Sequence, residues 1–221
     1  MIAMILAAGR GRRMEDLTND KPKPLLMVNG KSLIECQIIS LAQNGFKEII
    51  INVAYHGQKI IDEIGFGEKW GVDIKYSYEG EYGLETGGGI RRALPLLGND
   101  FIVVNADVWT EYPYSKLKEV KLNLSLAYLV LVNNPEHNPQ GDFSISENNT
   151  IEMPSESTRY TFSGIGLYSS KVFTPFISGE KFSLLSIFKP LFSRQKIKGE
   201  LYTKTWQDIG TPERLKGIRC D

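Results

Sequence analysis

Leu6-Ala7-Ala8-Gly9-Arg10-Gly11-Arg12-Arg13-Met14 follows an apolar run, Met1-Ile2-Ala3-Met4-Ile5, and passes at once from strand-like residues into glycine and arginine. A buried strand that ends in such a loop suits an open α/β sheet, where ligands sit beyond the carboxyl ends of the strands. Successive amides in a glycine-rich turn form an anion-binding concavity, and three arginines within four residues add cationic charge to it. A triphosphate is the natural occupant. Taken alone, the same residues also describe a surface loop with solvated arginines.

Two other phosphate loops do not fit. A dinucleotide-binding loop needs a third glycine where Met14 stands, and a helix that Pro22 and Pro24 forbid. A P-loop needs a glycine five positions before Gly30-Lys31-Ser32, where Leu25 stands.

Outward from the loop, Ser32-Leu33-Ile34-Glu35 has the form of a capping box and predicts a helix to about Asn44, stopped by Gly45. Apolar runs predict strands over 48–53, 73–77 and 101–105, and amphipathic patterns predict helices over 56–64 and 87–97. This alternation predicts an α/β fold, a Rossmann-like mixed but mostly parallel sheet flanked by helices. Strands are expected over 124–132, 142–146, 161–168 and 198–205, with helices over 183–194 and from Pro212. These later strands are read as a small additional sheet closing one side of a pocket. Residues 1–221 are taken as one domain, since no linker divides them.

The chain has 26 basic and 26 acidic residues, so no general attraction to nucleic acid or membrane is expected. The longest apolar run, 124–132, is far below the ~18 residues of a membrane span. With two cysteines, Cys36 and Cys220, and no leader pattern, a cytoplasmic protein is expected.

Four further segments carry chemistry. In Lys21-Pro22-Lys23-Pro24-Leu25 two prolines stiffen the backbone around Lys23 and aim its ammonium. Glu85-Thr86-Gly87-Gly88-Gly89 offers backbone that a flat ligand can approach. Asn105-Ala106-Asp107 puts a carboxylate where a strand ends, and beside a triphosphate such a group holds Mg²⁺. Trp206-Gln207-Asp208-Ile209-Gly210-Thr211-Pro212 supplies a second carboxylate before the last helix.

Together, in this order, the five segments resemble the sugar-phosphate nucleotidyltransferases over residues 4–215. Within that family the resemblance is to members of bacterial peptidoglycan recycling that use UTP and N-acetylmuramic acid 1-phosphate. It implies transfer of a nucleotidyl group from a nucleoside triphosphate to a sugar 1-phosphate, with a nucleotide-binding half (1–110) and a sugar-binding half (111–221). Arg13, Lys23, Asp107 and Asp208 are then catalytic, with Asp107 and Asp208 holding Mg²⁺. Ala8, Gly9, Gly11, Arg12, Arg13, Lys23, Thr86 and Gly87 contact the nucleotide, and Asn105, Asp142 and Ser163 the sugar. A monomer or weak homodimer is expected. Mannose with GTP, glucose with dTTP, or a non-catalytic nucleotide-sensing subunit remain alternatives. Two departures from the family pattern are Ala106, where glycine is common, and the extra Tyr82-Gly83 ahead of Leu84.

Overall fold

The run Glu48-Ile49-Ile50-Ile51-Asn52-Val53 forms a strand in which every residue after Glu48 is buried, as required of a strand covered on both faces. It lies inside a seven-stranded sheet. The computed structural model describes residues 1–153 and 158–217, without the side chains of Arg12, Glu15 and Asp16. In chain order the strands of this sheet are β1 (Ile2–Leu6), β2 (Glu48–Val53), β3 (Asp73–Tyr78), β4 (Asp100–Asn105), β5 (Ala127–Val132), β6 (Thr161–Ser169) and β7 (Ile197–Tyr202). Their spatial order is β7-β5-β6-β4-β1-β2-β3. Only β6 runs antiparallel to its neighbours.

The helices are α1 (Leu33–Gln43), α2 (Gly57–Ile64), α3 (Glu85–Leu97), α4 (Lys116–Glu119), α5 (Leu184–Phe192) and α6 (Pro212–Lys216). Successive residues of a strand point to opposite faces, and β1 shows the result. Ala3 and Ile5 join Ile34 and Ile38 of α1 and Ile60 of α2 in one core, while Met4 joins Ile90 of α3 and Phe188 of α5 in the other. α1 starts at the capping box that its sequence implies: Ser32 Oγ accepts from the Glu35 amide, and Glu35 Oε2 accepts from the Ser32 amide at 2.9 Å. Gly45, with φ of +76°, ends the helix as expected.

The chain builds outward from β1 to β3 and then resumes at β4 on the other side of β1. The switch point therefore lies between β1 and β4, where Leu6 pairs with Asn105. Both chemically loaded loops leave the sheet here.

The fold class agrees with the sequence reading, but the later strands are shared out differently. Residues 127–132, 161–169 and 197–202 extend the central sheet. The separate small sheets are two-stranded antiparallel ribbons: Met27–Val28 with Lys31–Ser32, Val108–Thr110 with Trp206–Asp208, and Ser144–Ile145 with Ile151–Glu152. The physical reason is the reversed strand β6, which takes the open edge of β4 and brings β5 and β7 along with it.

Candidate active site

A cleft of about 420 Å³ opens over the switch point. Its lining includes Ala8, Gly9, Gly11, Arg13, Lys23, Thr86, Asn105 and Asp107, eight of the residues singled out from sequence. The loop after β1 is pinned at its far end by Met14, fully buried against Leu26, Leu33 and Ile209. Gly11 has φ of +64°, and a Cβ there would lie 2.9 Å from Cβ of Lys23, so the glycine lets the two loops close on each other. Arg13 is exposed and faces the cleft; the side chain of Arg12 lies outside the described residues.

Lys23 opens a single 3-10 turn after Pro22 and is 9% exposed, and its ammonium is ion-paired with Asp107. From sequence alone Asp107 has no partner, so this pairing is a finding. The turn that carries Asp107 is held from two sides. The Ile209 amide donates to the Asp107 carbonyl at 2.7 Å, and the buried Gln37 of α1 donates to the Val108 carbonyl. Tyr114 fixes Gln37 in turn, donating to Oε1 at 2.8 Å. Ala106 is buried and has no positive φ, so alanine costs nothing at that position.

Asp208 reaches the same region through its ribbon, in register with Val108, the residue after Asp107. Its Oδ1 accepts from Arg214 Nη1 at 2.6 Å and lies 2.8 Å from His137 Nε2. Neighbouring Gly210 lines the cleft, and a Cβ there would meet Arg214 Nη2 at 2.2 Å. Asp107 thus sits in the turn just before the strand that pairs with Asp208, and each carboxylate is balanced by a cation. Among the described residues no group of three or more His, Cys, Asp or Glu gathers as a metal site. A pair of carboxylates still fits Mg²⁺, which fills its remaining positions with phosphate oxygens and water.

Three residues sit differently from their sequence reading. Ser163 is 1% exposed; its hydroxyl donates to the Val130 carbonyl at 2.7 Å and accepts from the Ile165 amide. It is absorbed into the strand pairing and does not line the cleft. Asp142 spends both oxygens on structure, accepting from the Phe162 amide at 2.8 Å and from Asn138 at 3.2 Å, and so anchors the 133–141 loop. Gly87, with Gly88 and Gly89, lies buried inside α3, and the space beside these residues is filled by protein. Added Cβ atoms would meet the Phe182 ring at 2.5 Å, the Glu180 carbonyl at 2.3 Å and Glu79 Oε1 at 2.1 Å. These glycines serve helix packing, and Gly87 is left with only its backbone to offer a ligand. Of the three sugar candidates, Asn105 alone lines the cleft.

Glu79 and Asn52 were not legible as site residues. Asn52 accepts from the Ala7 amide at 2.7 Å and donates to Glu79 Oε1 at 2.6 Å; Glu79 Oε2 accepts from the Leu84 amide at 2.7 Å. This chain ties the glycine-rich loop to the start of α3. Burial pushes the Glu79 carboxyl above its ordinary value, while its two hydrogen bonds and Arg92 pull the other way. Trp109 packs beside Met14 and Ile209 as a core residue.

A doubly wound sheet with a glycine-rich cationic loop at its switch point, lining one cleft with Lys23 and Asp107, has the make-up of a site for a phosphate-bearing ligand, whereas the Asp208 side chain is not among the residues that line this cleft. The chain belongs to the nucleotidyl transferase family, whose model matches residues 2–220. It is 43% identical over 221 residues to the N-acetylmuramate alpha-1-phosphate uridylyltransferase of Neisseria meningitidis serogroup B, covering 98% of this chain and 96% of that one. To the D-glycero-alpha-D-manno-heptose 1-phosphate guanylyltransferase of Campylobacter jejuni it is 31% identical, covering 96% of each. The crystal structure of HddC from Yersinia pseudotuberculosis superposes with a TM-score of 0.81 at 27% identity, covering 97% of this chain and 96% of that one.

Proposed function

We propose that the protein transfers the uridylyl group of UTP to N-acetylmuramic acid 1-phosphate and releases pyrophosphate, as a step of peptidoglycan recycling in the cytoplasm. The observation that carries this reading is the near full-length likeness to the Neisseria uridylyltransferase, which exceeds that to the Campylobacter guanylyltransferase. The cleft supports the chemistry. Residues 1–110 supply all but two of the residues that line it and would hold the triphosphate; residues 111–221 line it through Lys181 and through Gly210, two residues after Asp208.

An oxygen of the sugar phosphate attacks the α-phosphorus in line, and the bond to the β-phosphate oxygen breaks. A phosphate monoester is largely ionised near neutral pH and needs no general base. The histidines agree: His56 precedes α2 with its ring 3.4 Å from the Asn19 carbonyl, and His137 is engaged with Asp208 and Arg214. Catalysis then rests on alignment and charge neutralisation. Amides of Ala8, Gly9 and Gly11, with Arg12 and Arg13, cradle the triphosphate. Lys23 neutralises the α-phosphate and the departing pyrophosphate, and Thr86 and Gly87 border the base. Asn105 bonds the sugar from the cleft floor. Asp107 and Asp208 are the residues that would hold Mg²⁺, which would supply further charge neutralisation at the phosphates. The active unit is one chain, as a monomer or weak homodimer.

The test is a pyrophosphate-release screen of N-acetylmuramic acid, N-acetylglucosamine, glucose and mannose 1-phosphates, each against UTP, GTP, CTP, ATP and dTTP. The expected preference is N-acetylmuramic acid 1-phosphate with UTP. A preference for mannose with GTP, or glucose with dTTP, overturns the substrate pair, and no release with any pair overturns the activity.

A further inference from the structure

Arg10 belongs to the glycine-rich loop, and its guanidinium lies against two aromatic rings. It lies 5.1 Å from the ring centroid of Tyr55 and 5.8 Å from that of Tyr82. Its Nη2 also donates a long hydrogen bond to the Glu81 carbonyl. Tyr82 is 81% exposed, on the short segment between β3 and α3. That segment is fixed at its base, where Glu79 is buried and bonded to Asn52 and to the Leu84 amide. Its tip is flanked by Gly80 and Gly83, both at positive φ. Tyr82 and Arg10 line both the nucleotide cleft and a neighbouring cavity of about 640 Å³ walled by Tyr55, Tyr76 and Tyr78.

The charges along the cleft separate its two ends. Arg13, Lys23 and Asp107 gather where a metal-bound triphosphate is welcome. Around Tyr82, Gly83 and Thr86 the lining charges are already engaged: Glu85 lies 3.9 Å from Lys181, Glu79 is buried and bonded to Asn52, and Arg10 sits against the Tyr55 and Tyr82 rings. An uncharged, flat group suits that end, next to a large aromatic ring that has little covering it.

We propose that Tyr82 is one wall of the base subsite and stacks on the nucleobase of the bound triphosphate, held in place by Arg10 and Tyr55. Cation–π contact on the ring from one side leaves other ring surface free for a base, and the paired glycines let the tip settle on it. The proposal rests on the nucleotidyltransferase reading. It does not rest on the choice of uracil, because every base presents a π-face.

The experiment measures binding of UTP and of inorganic tripolyphosphate, which lacks a base, by calorimetry to wild type, Tyr82→Ala and Tyr82→Phe. It adds the KM values for UTP and for the sugar 1-phosphate. Tyr82→Ala is expected to weaken UTP about tenfold, the scale of one base–aromatic stack, and to leave tripolyphosphate unchanged. The loss falls on the KM for UTP far more than on kcat, and Tyr82→Phe restores it. Equal UTP binding by wild type and Tyr82→Ala overturns the proposal, as does an equal loss of tripolyphosphate or a failure of Phe to rescue. A wild type that favours another triphosphate moves the same comparison to that nucleotide. A wild type that binds nucleotides no better than tripolyphosphate overturns the stacking alone. Binding without turnover would refute the proposed reaction while still deciding the role of Tyr82.

Discussion

Asp208 and Arg214 are joined by a 2.6 Å ion pair across the turn at Gly210, where any side chain would meet the guanidinium. Arg214 thus competes with any other cation for Asp208 Oδ1. Arg214→Gln is expected to lower the Mg²⁺ concentration needed for half-maximal turnover, because the ion no longer displaces a guanidinium. Asp208→Asn is expected to raise it and to lower turnover. A metal titration of the two variants checks both, and an unchanged requirement in Arg214→Gln would show that the pair persists with the metal bound.

Asp107→Asn is expected to reduce turnover at least ~10²-fold, since misplacing the metal removes several kcal/mol of transition-state stabilisation. The fold should hold, because asparagine keeps a carbonyl oxygen for the nearly buried Lys23. Asp107→Ala leaves that ammonium without its partner and should be the less stable of the two. Steady-state kinetics and thermal melts separate these effects, and near-normal turnover in Asp107→Asn would remove the residue from the metal site.

Gly89 and Gly9 make a contrasting pair. At Gly89 a Cβ would lie 2.1 Å from Glu79 Oε1, whereas at Gly9 nothing lies within 4 Å. Gly89→Ala is expected to cost about 1–3 kcal/mol as overpacking, visible as a lower melting temperature and a weaker affinity for the triphosphate. Gly9→Ala should melt with the wild type, so any loss of nucleotide binding there reports on the ligand directly.

Glu35 gives a pH-dependent prediction. Burial alone would push its carboxyl up, but Lys69 and the amide and hydroxyl of Ser32 outweigh this and hold it below the ordinary value. A carboxyl depressed in the folded state contributes stability that is present above its unfolded pKa and is lost as the pH falls through the folded one. Glu35→Ala is therefore expected to cost about 1 kcal/mol near neutral pH, or roughly 2–4 °C in Tm. The gap to wild type should close as the solution is acidified below the usual carboxylate range. A gap that is constant with pH would show that the charge of the carboxylate does not carry the effect.

The parts legible in the sequence were those written locally. Ser32 and Glu35 announce α1, and the isoleucines of 49–51 announce a strand covered on both faces. The Asn105-Ala106-Asp107 turn announces a carboxylate at the cleft. What stayed hidden depends on partners distant in the chain. Nothing near residues 161–169 says that this strand pairs with β4, and nothing near His137 says that it meets Asp208. Gly87–Gly89 read as room for a ligand, because a sequence does not show that Phe182 and Glu180 already fill that room. Asp142 and Ser163 were expected at the sugar, whereas their oxygens are bound to Phe162, Asn138 and Val130.

Strand β6 has one register irregularity beside β5, between Phe162 and Ile165, and within it Gly164 takes a φ of +78° directly beside Asn105. A Cβ at residue 164 would come within 2.5 Å of Asn105 Nδ2. This is the seam between the two parts of the chain, and it tolerates no side chain. A chimera that grafts residues 111–221 of a relative onto the first 110 residues must carry glycine at this point. If it does not, the incoming strand displaces the residue that closes the cleft floor. Under the proposed division of the cleft, exchange of sugar preference is therefore constrained by the backbone at residue 164.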